Sequence, residues 1–295
     1  MKKSIKKALS KCQQLALLLL LCSNLGAQEY QGFSSHKLVS AGVDREFILY
    51  VPEVDRDDGL ALVFSLHGSG SIPQTQVDVS HFDILAERHG FAVVFPAGAF
   101  TNSITARSWN ANKEEGVDDI QFVRDMIKAV SGMLNIDQSR IYTSGYSGGA
   151  RMSSRLACEL SDVLAAAAPV AGLQYPDDCI PKRAIPIIAF HARDDQVNNY
   201  VLGKESRPYW RMGVETALDK WRQANACSLA NADAQLSGNV SRYIWADCED
   251  SAEINYYLSE KGGHTWPGAD NSGVNNDINS TTLIWEFFSR HQLPE

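Results

Sequence analysis

Gly145-Tyr146-Ser147-Gly148-Gly149 is the segment that most narrows what this chain can fold into. It follows an apolar run, Arg140-Ile141-Tyr142-Thr143-Ser144, and precedes a helix-like stretch from Ala150 to Leu160. A G-x-S-x-G pentapeptide between a strand and a helix forces a sharp turn. The turn stands the serine hydroxyl clear of the C-terminal edge of a sheet. Glycines on either side of Ser147 leave room for the backbone to fold back and for the helix to approach the strand. Ser147 is therefore the candidate nucleophile, and the chain should supply a carboxylate, a histidine and an oxyanion hole nearby.

The surrounding pattern predicts an α/β fold. His36 to Gly42 and Arg45 to Val51 read as strands around a short turn. Ala61 to Leu66 and Phe91 to Phe95 are continuous apolar runs, as expected of strands covered on both faces. Phe82 to His89 reads as a helix stopped by Gly90. Val117 to Leu134 carries Ile120, Val123, Ile127, Val130 and Leu134 at helical spacing, with Asp118 and Asp119 at its start. Leu164 to Ala171 and Ala184 to Phe190 read as strands, Val214 to Ala226 as a helix, Ile254 to Leu258 as a strand and Thr282 to His291 as a closing helix. Strands alternating with helices give a mostly parallel central sheet with helices on both faces. Ligands in such sheets sit outside the C-terminal strand ends, where Ser147 is placed.

This fold orders its triad Ser…Asp/Glu…His along the chain. His36, His81, His89 and His291 read as surface or helix-end histidines. His264 lies in Lys261-Gly262-Gly263-His264-Thr265-Trp266-Pro267-Gly268, a glycine-flanked loop after the last strand, and is the candidate general base. The acid should follow the strand Pro186 to Phe190, in His191-Ala192-Arg193-Asp194-Asp195; position leaves Asp194 and Asp195 both open. Oxyanion donors are expected from the Gly148 N–H and from Leu66-His67-Gly68-Ser69-Gly70, with Ser69 N–H first and Gly68 next. His67 reads as a loop-shaping residue. Trp109, Tyr146, Tyr175 and Trp266 are candidate walls for an aromatic acid or a sugar ring.

The first residues carry Lys2, Lys3, Lys6, Lys7 and Lys11, an apolar Leu15 to Leu21, and small residues up to Ala27. This is the layout of an export signal over residues 1–27, leaving 28–295 as one catalytic domain in a secreted or periplasmic protein. Removing that signal takes five lysines and no acid from a chain of 27 basic and 35 acidic residues, which leaves a formal charge of −13. Such a surface repels nucleic acid and anionic membranes. Cys158, Cys179, Cys227 and Cys248 remain, an even number that suggests two disulfides among three possible pairings. No spacing supports a metal site, and the triad chemistry needs no cofactor. No segment marks an obligate protein partner.

Taken together, these segments resemble the exported esterases grouped with polyhydroxybutyrate depolymerases and feruloyl esterases. The resemblance rests on Leu66 to Gly70, Trp109-Asn110, Val117 to Asp119, the G-x-S-x-G segment, His191 to Asp195 with Tyr200, Trp221…Asn225…Cys227, and Gly262 to Gly268. It covers most of residues 45 to 290. It implies an α/β-hydrolase fold, Asp195 as the acid, and the pairings Cys158–Cys179 and Cys227–Cys248. The chain departs from the family pattern at Ala192, at Asn198-Asn199 and at Gly148. The implied activity is hydrolysis of feruloyl or acetyl esters of plant cell-wall polysaccharide through an acyl-enzyme. The alternatives are a polyester or oligoester depolymerase, and a catalytically dead carbohydrate-binding protein on the same scaffold.

Overall fold

Continuous apolar runs in the middle of the chain become the middle of a ten-stranded sheet. The structure is a computed structural model that describes residues 32–54, 58–100, 107–113, 116–228, 231–269 and 275–294. The export signal expected over residues 1–27 lies outside the described residues. In chain order the strands are β1 (Gly32–Ser40), β2 (Val43–Val51), β3 (Leu60–Leu66), β4 (Phe91–Pro96), a small separate pair β5 (Ala99–Phe100) and β6 (Arg107–Ser108), β7 (Ile136–Tyr146), β8 (Ala166–Val170), β9 (Ile187–Ala192), β10 (Asn231–Ser237), β11 (Val240–Trp245) and β12 (Ile254–Ser259). The α-helices are α1 (Pro73–Ser80), α2 (Phe82–His89), α3 (Asp119–Met133), α4 (Gly148–Glu159), α5 (Val214–Ala224) and α6 (Ser280–Phe288).

The sheet runs β1-β2-β4-β3-β7-β8-β9-β12-β11-β10. Its centre, β4 to β12, is parallel, and antiparallel strands flank it on both sides. This is the α/β-hydrolase architecture. Burial follows the topology. Every residue of β3, β4, β8, β9 and β12 is buried, whereas the outer β1 alternates between half-buried and exposed positions. Ala61, Val63, Phe91, Val93, Phe95 and Phe190 share one apolar cluster with Val77 and Phe82 of α1 and α2 and with Ile284, Phe287 and Phe288 of α6. Leu62 and Phe64 alternate with these and are also fully buried. That second face is covered by the helices on the other side, α4 packing on β3, β7 and β8. Each large apolar side chain so buried stabilises the fold by roughly 1.5–3 kcal/mol.

Helix ends obey local chemistry. Asp118 caps α3 by accepting from Gln121 N at 2.9 Å, and Asn279 caps α6 by accepting from Thr282 N at 2.9 Å. The short pair β5–β6, helix α1 and the hairpin β10–β11 escape the sequence pattern. Helix α1, Pro-Gln-Thr-Gln-Val-Asp-Val-Ser, has only Gln76, Val77 and Ser80 buried, so it shows no apolar stripe. The hairpin β10–β11, turning at Gly238-Asn239, lies at the sheet's outer edge, where the apolar alternation that marks a half-buried strand is weak. Strand β1 also begins at Gly32, ahead of the expected His36.

The cysteines pair as Cys158–Cys179 and Cys227–Cys248, each with a separation of 21 residues. Closing a loop of that length is worth about 3 kcal/mol in the chain-entropy account. The first ties the end of α4 to the segment after β8; the second ties the end of α5 to the segment after β11. Asn225, just before Cys227, accepts from Ile185 N at 3.1 Å and donates to Ile185 O at 2.8 Å, so α5 is stitched to the entry of β9.

Candidate active site

Strand β7 ends at Tyr146 and α4 begins at Gly148, so Ser147 is the whole turn. Its φ of 55° and ψ of −111° lie where L-residues are rarely found. Such backbone costs of order 1–3 kcal/mol and persists only where its surroundings enforce it. The enforcement is visible. Ser147 N donates to Val170 O at 3.0 Å, and Arg151 N reaches back to Ser147 O at 3.1 Å. A methyl group on Gly149 would stand 2.2 Å from Leu66 O, and one on Gly145 would stand 2.4 Å from Gly149 O. The strand, the loop after β3 and the start of α4 therefore meet with no room for side chains.

The loop after β3 lies against this turn. A methyl on Gly148 would stand 2.1 Å from Ser69 Oγ and 2.8 Å from Ser69 N, and one on Gly68 would stand 3.5 Å from Ser147 Cβ. Gly148 thus lies directly against Ser69, at the N-terminal, positive end of α4. His67 shapes the loop. Its Nε2 accepts from Gly98 N at 3.0 Å, so Nδ1 carries the proton and donates to Gly68 O at 2.7 Å. Burial pushes this imidazole down to about 4, and it stays neutral. Trp109 Nε1 donates to His67 O at 2.8 Å. The next residue, Asn110, donates its N–H to Asp119 Oδ2 at 2.7 Å, and Asp119 Oδ1 accepts from buried Arg45 at 2.7 Å. The Trp-Asn and Val-Asp-Asp motifs are thus one brace behind the loop.

Asp195 follows β9 and is 1% exposed. Its Oδ1 accepts from Val197 N at 2.8 Å and Asn198 N at 2.9 Å. Its Oδ2 accepts from His264 Nδ1 at 2.8 Å. Burial alone would raise the carboxyl's pKa; the His264 hydrogen bond, its charge and the Asn198 N–H outweigh it, and the net direction is down. His191 Nε2 donates to Asn198 O at 2.8 Å and lies 3.5 Å from Asp195 Oδ2; complete burial lowers its pKa, so it packs there uncharged.

His264 is held from both sides. The Tyr146 hydroxyl, next to Ser147 in the chain, donates to His264 O at 2.6 Å, and the two rings lie 5.2 Å apart. Burial pushes the Tyr146 phenol up to about 12, so it remains a donor. With Nδ1 committed to Asp195, Nε2 is the nitrogen left for proton exchange. The arrangement can activate an alcohol as a nucleophile and hold negative charge on a neighbouring oxygen.

The structure brings together Ser147, Gly148 and Ser69, and joins Asp195 to His264. It corrects two of the expected aromatic walls, Trp266 and Trp109. Trp266 is 2% exposed, donates Nε1 to Thr281 Oγ1 at 2.9 Å and packs edge-on against Phe82; it is core. Trp109 is 7% exposed and belongs to the brace. Tyr146 backs His264 and is half-buried beside Ser147. Tyr175 lines a small cleft with Asn112, Arg151, Gln174 and Arg211, its hydroxyl donating to Cys179 O at 2.9 Å. Sequence reasoning missed the packing of His191 against Asp195, because an imidazole four residues before the acid looks like any polar loop residue.

The profile of the Esterase PHB depolymerase family matches residues 45–246. The chain is 27% identical to a bifunctional acetylxylan esterase/xylanase of Neocallimastix patriciarum over 84% of its own length and 34% of the relative's. It is 29% identical to feruloyl esterase B of Piromyces equi, over 70% of its own length and 37% of the relative's. The chain thus spans about a third of the length of these relatives. Among solved structures, an acetyl xylan esterase from Aspergillus awamori superposes with a TM-score of 0.63 at 15% identity, covering 87% of this chain and 99% of that one. At that identity the likeness is one of fold.

Proposed function

The chain belongs to the Esterase PHB depolymerase family, and from that premise we propose that it is an exported serine esterase acting on feruloyl or acetyl esters of plant cell-wall polysaccharide. The observation that carries the reading is the bond from His264 Nδ1 to Asp195 Oδ2 at 2.8 Å, on a loop anchored to the residue before Ser147. Residues 1–27 would direct export and 28–295 would be the catalytic domain. Two disulfides accord with an oxidising compartment. The names of the two relatives support the substrate class.

In this reading His264 Nε2 takes the proton of Ser147 Oγ as the oxygen attacks the ester carbonyl. Asp195 keeps the imidazole in the tautomer with its proton on Nδ1 and stabilises the imidazolium. The Gly148 and Ser69 N–H groups hold the oxyanion. The alcohol departs with the proton from His264, leaving Ser147 acylated. Water then attacks the acyl-enzyme as His264 takes one of its protons, and His264 returns that proton to Ser147 Oγ as the acid leaves and the enzyme is regenerated.

The test is the protein freed of residues 1–27, assayed on methyl ferulate, acetylated xylan and hydroxybutyrate oligomers, with products identified by mass spectrometry. Ferulate or acetate release supports the reading. Release confined to hydroxybutyrate units moves the substrate to the polyester class, and no release from any of them overturns it. The oxyanion assignment has its own prediction. Gly148→Ala forces Ser69 away and should lower kcat by about 10²–10³-fold, the loss expected for one displaced donor. KM should change little. A Gly148→Ala enzyme with native circular dichroism and unchanged kcat would place the hole elsewhere.

A further inference from the structure

We infer that Asp194 is a positioning residue for His264: its carboxylate holds the backbone of the histidine loop while Asp195 holds the ring. The inference rests on reading His264 as the general base. Strands β9 and β12 run parallel with Ala192 opposite Ser259, and their pairing continues past the sheet, first through the main chain and then through side chains. Arg193 N donates to Ser259 O at 2.8 Å, and the Arg193 guanidinium donates to Glu260 Oε2 at 2.8 Å. Asp194 Oδ1 accepts from Gly262 N at 3.0 Å and from Gly263 N at 2.8 Å. Asp195 Oδ2 then accepts from His264 Nδ1 at 2.8 Å. Three consecutive residues of one segment thus meet the residues from Ser259 to His264 of the other in order.

The two glycine amides need such a partner. They are consecutive and converge on one oxygen, with Gly263 in the left-handed region at φ 61°, the kind of backbone concavity that binds an anion. Two glycines before a general base give the chain many conformations in which the imidazole misses its target, and the carboxylate selects one. The bonds are charge-assisted. Asp194 is exposed and touches no reacting atom, so its effect should fall on geometry in the transition state and leave substrate binding alone. Misplacement of a catalytic group by about 1 Å is enough to cost roughly 10²-fold.

The experiment compares Asp194→Ala and Asp194→Asn with the wild-type protein on methyl ferulate, alongside Ser147→Ala and His264→Ala. Asp194→Ala should lower kcat by about 10- to 100-fold with KM within about twofold, as expected for a positioning loss. Asp194→Asn keeps an accepting oxygen and should return kcat to within about threefold of wild type. Amide hydrogen exchange over residues 261–264 should quicken in Asp194→Ala and not in Asp194→Asn. An unchanged kcat in Asp194→Ala, a loss carried by KM, a loss that asparagine does not rescue, or unaltered exchange in the loop would each overturn the inference. If Ser147→Ala and His264→Ala keep their activity, the triad reading has failed first. If they lose it while Asp194→Ala does not, the inference alone has failed.

Discussion

Ser147→Ala and His264→Ala should each lower kcat for ester hydrolysis by about 10⁶-fold, and the double variant should be no worse than either single one. The reason is that in the proposed mechanism the two groups act as one device. Without the hydroxyl there is nothing for the imidazole to activate; without the imidazole, the hydroxyl is a weak nucleophile at neutral pH. Activity of roughly 10³–10⁴-fold over water should survive, because the proposed oxyanion donors, the Gly148 and Ser69 N–H groups, are untouched by either substitution. The measurement is single-turnover release from an activated ester, with far-ultraviolet circular dichroism to show the sheet intact. Losses that multiply in the double variant would mean that the two side chains work independently and would contradict the proposed mechanism.

Asp195→Asn should lower kcat by about 10⁴-fold with the fold retained. Asparagine is the same shape, and its oxygen can still accept from Val197 N and Asn198 N. The amide nitrogen then occupies the position of Oδ2 and presents hydrogens to His264 Nδ1, which turns the imidazole to the wrong tautomer. The same substitution has a pH signature in stability. The folded Asp195 carboxyl lies below its ordinary range, so its contribution to stability is present above the unfolded value of about 3.9 and is lost as pH falls through the folded one. The stability gap between wild type and Asp195→Asn, measured by urea unfolding, should therefore be wide at pH 7 and narrow near pH 3. A gap that does not change with pH would contradict the assignment. His67 works at a higher pH in the same sense. Its folded value of about 4 lies below the ordinary 6.5, so the unfolded chain binds the proton first. Its contribution is whole above 6.5 and declines as pH drops towards 4.

Much of this could be read in the sequence because it was written in close-range constraints. The turn at Ser147 needs glycines within two residues on each side, and the central strands need unbroken apolar runs, so β3, β4, α2 and α3 appear where the pattern predicts them. Asp195 could be chosen over Asp194 only through resemblance, since both follow the same strand and only the fold shows which one reaches the imidazole. The aromatic residues misled for a related reason. A tryptophan near a catalytic histidine looks like a platform for a ring, yet Trp266 has its indole nitrogen satisfied by Thr281 and its faces packed in the core. A one-dimensional pattern records neighbours along the chain and carries no sign of which side of the backbone faces the substrate. The β10–β11 hairpin and α1 were missed because edge and surface elements bury too little to leave a period.

The positive φ of Ser147 sets stability and chemistry against each other at a single position. A glycine there would adopt the same backbone without strain, so selection for a firmer fold alone would discard the serine. The proposed mechanism requires a serine at this strained position, while the glycines, Val170 and the loop after β3 hold the conformation around it.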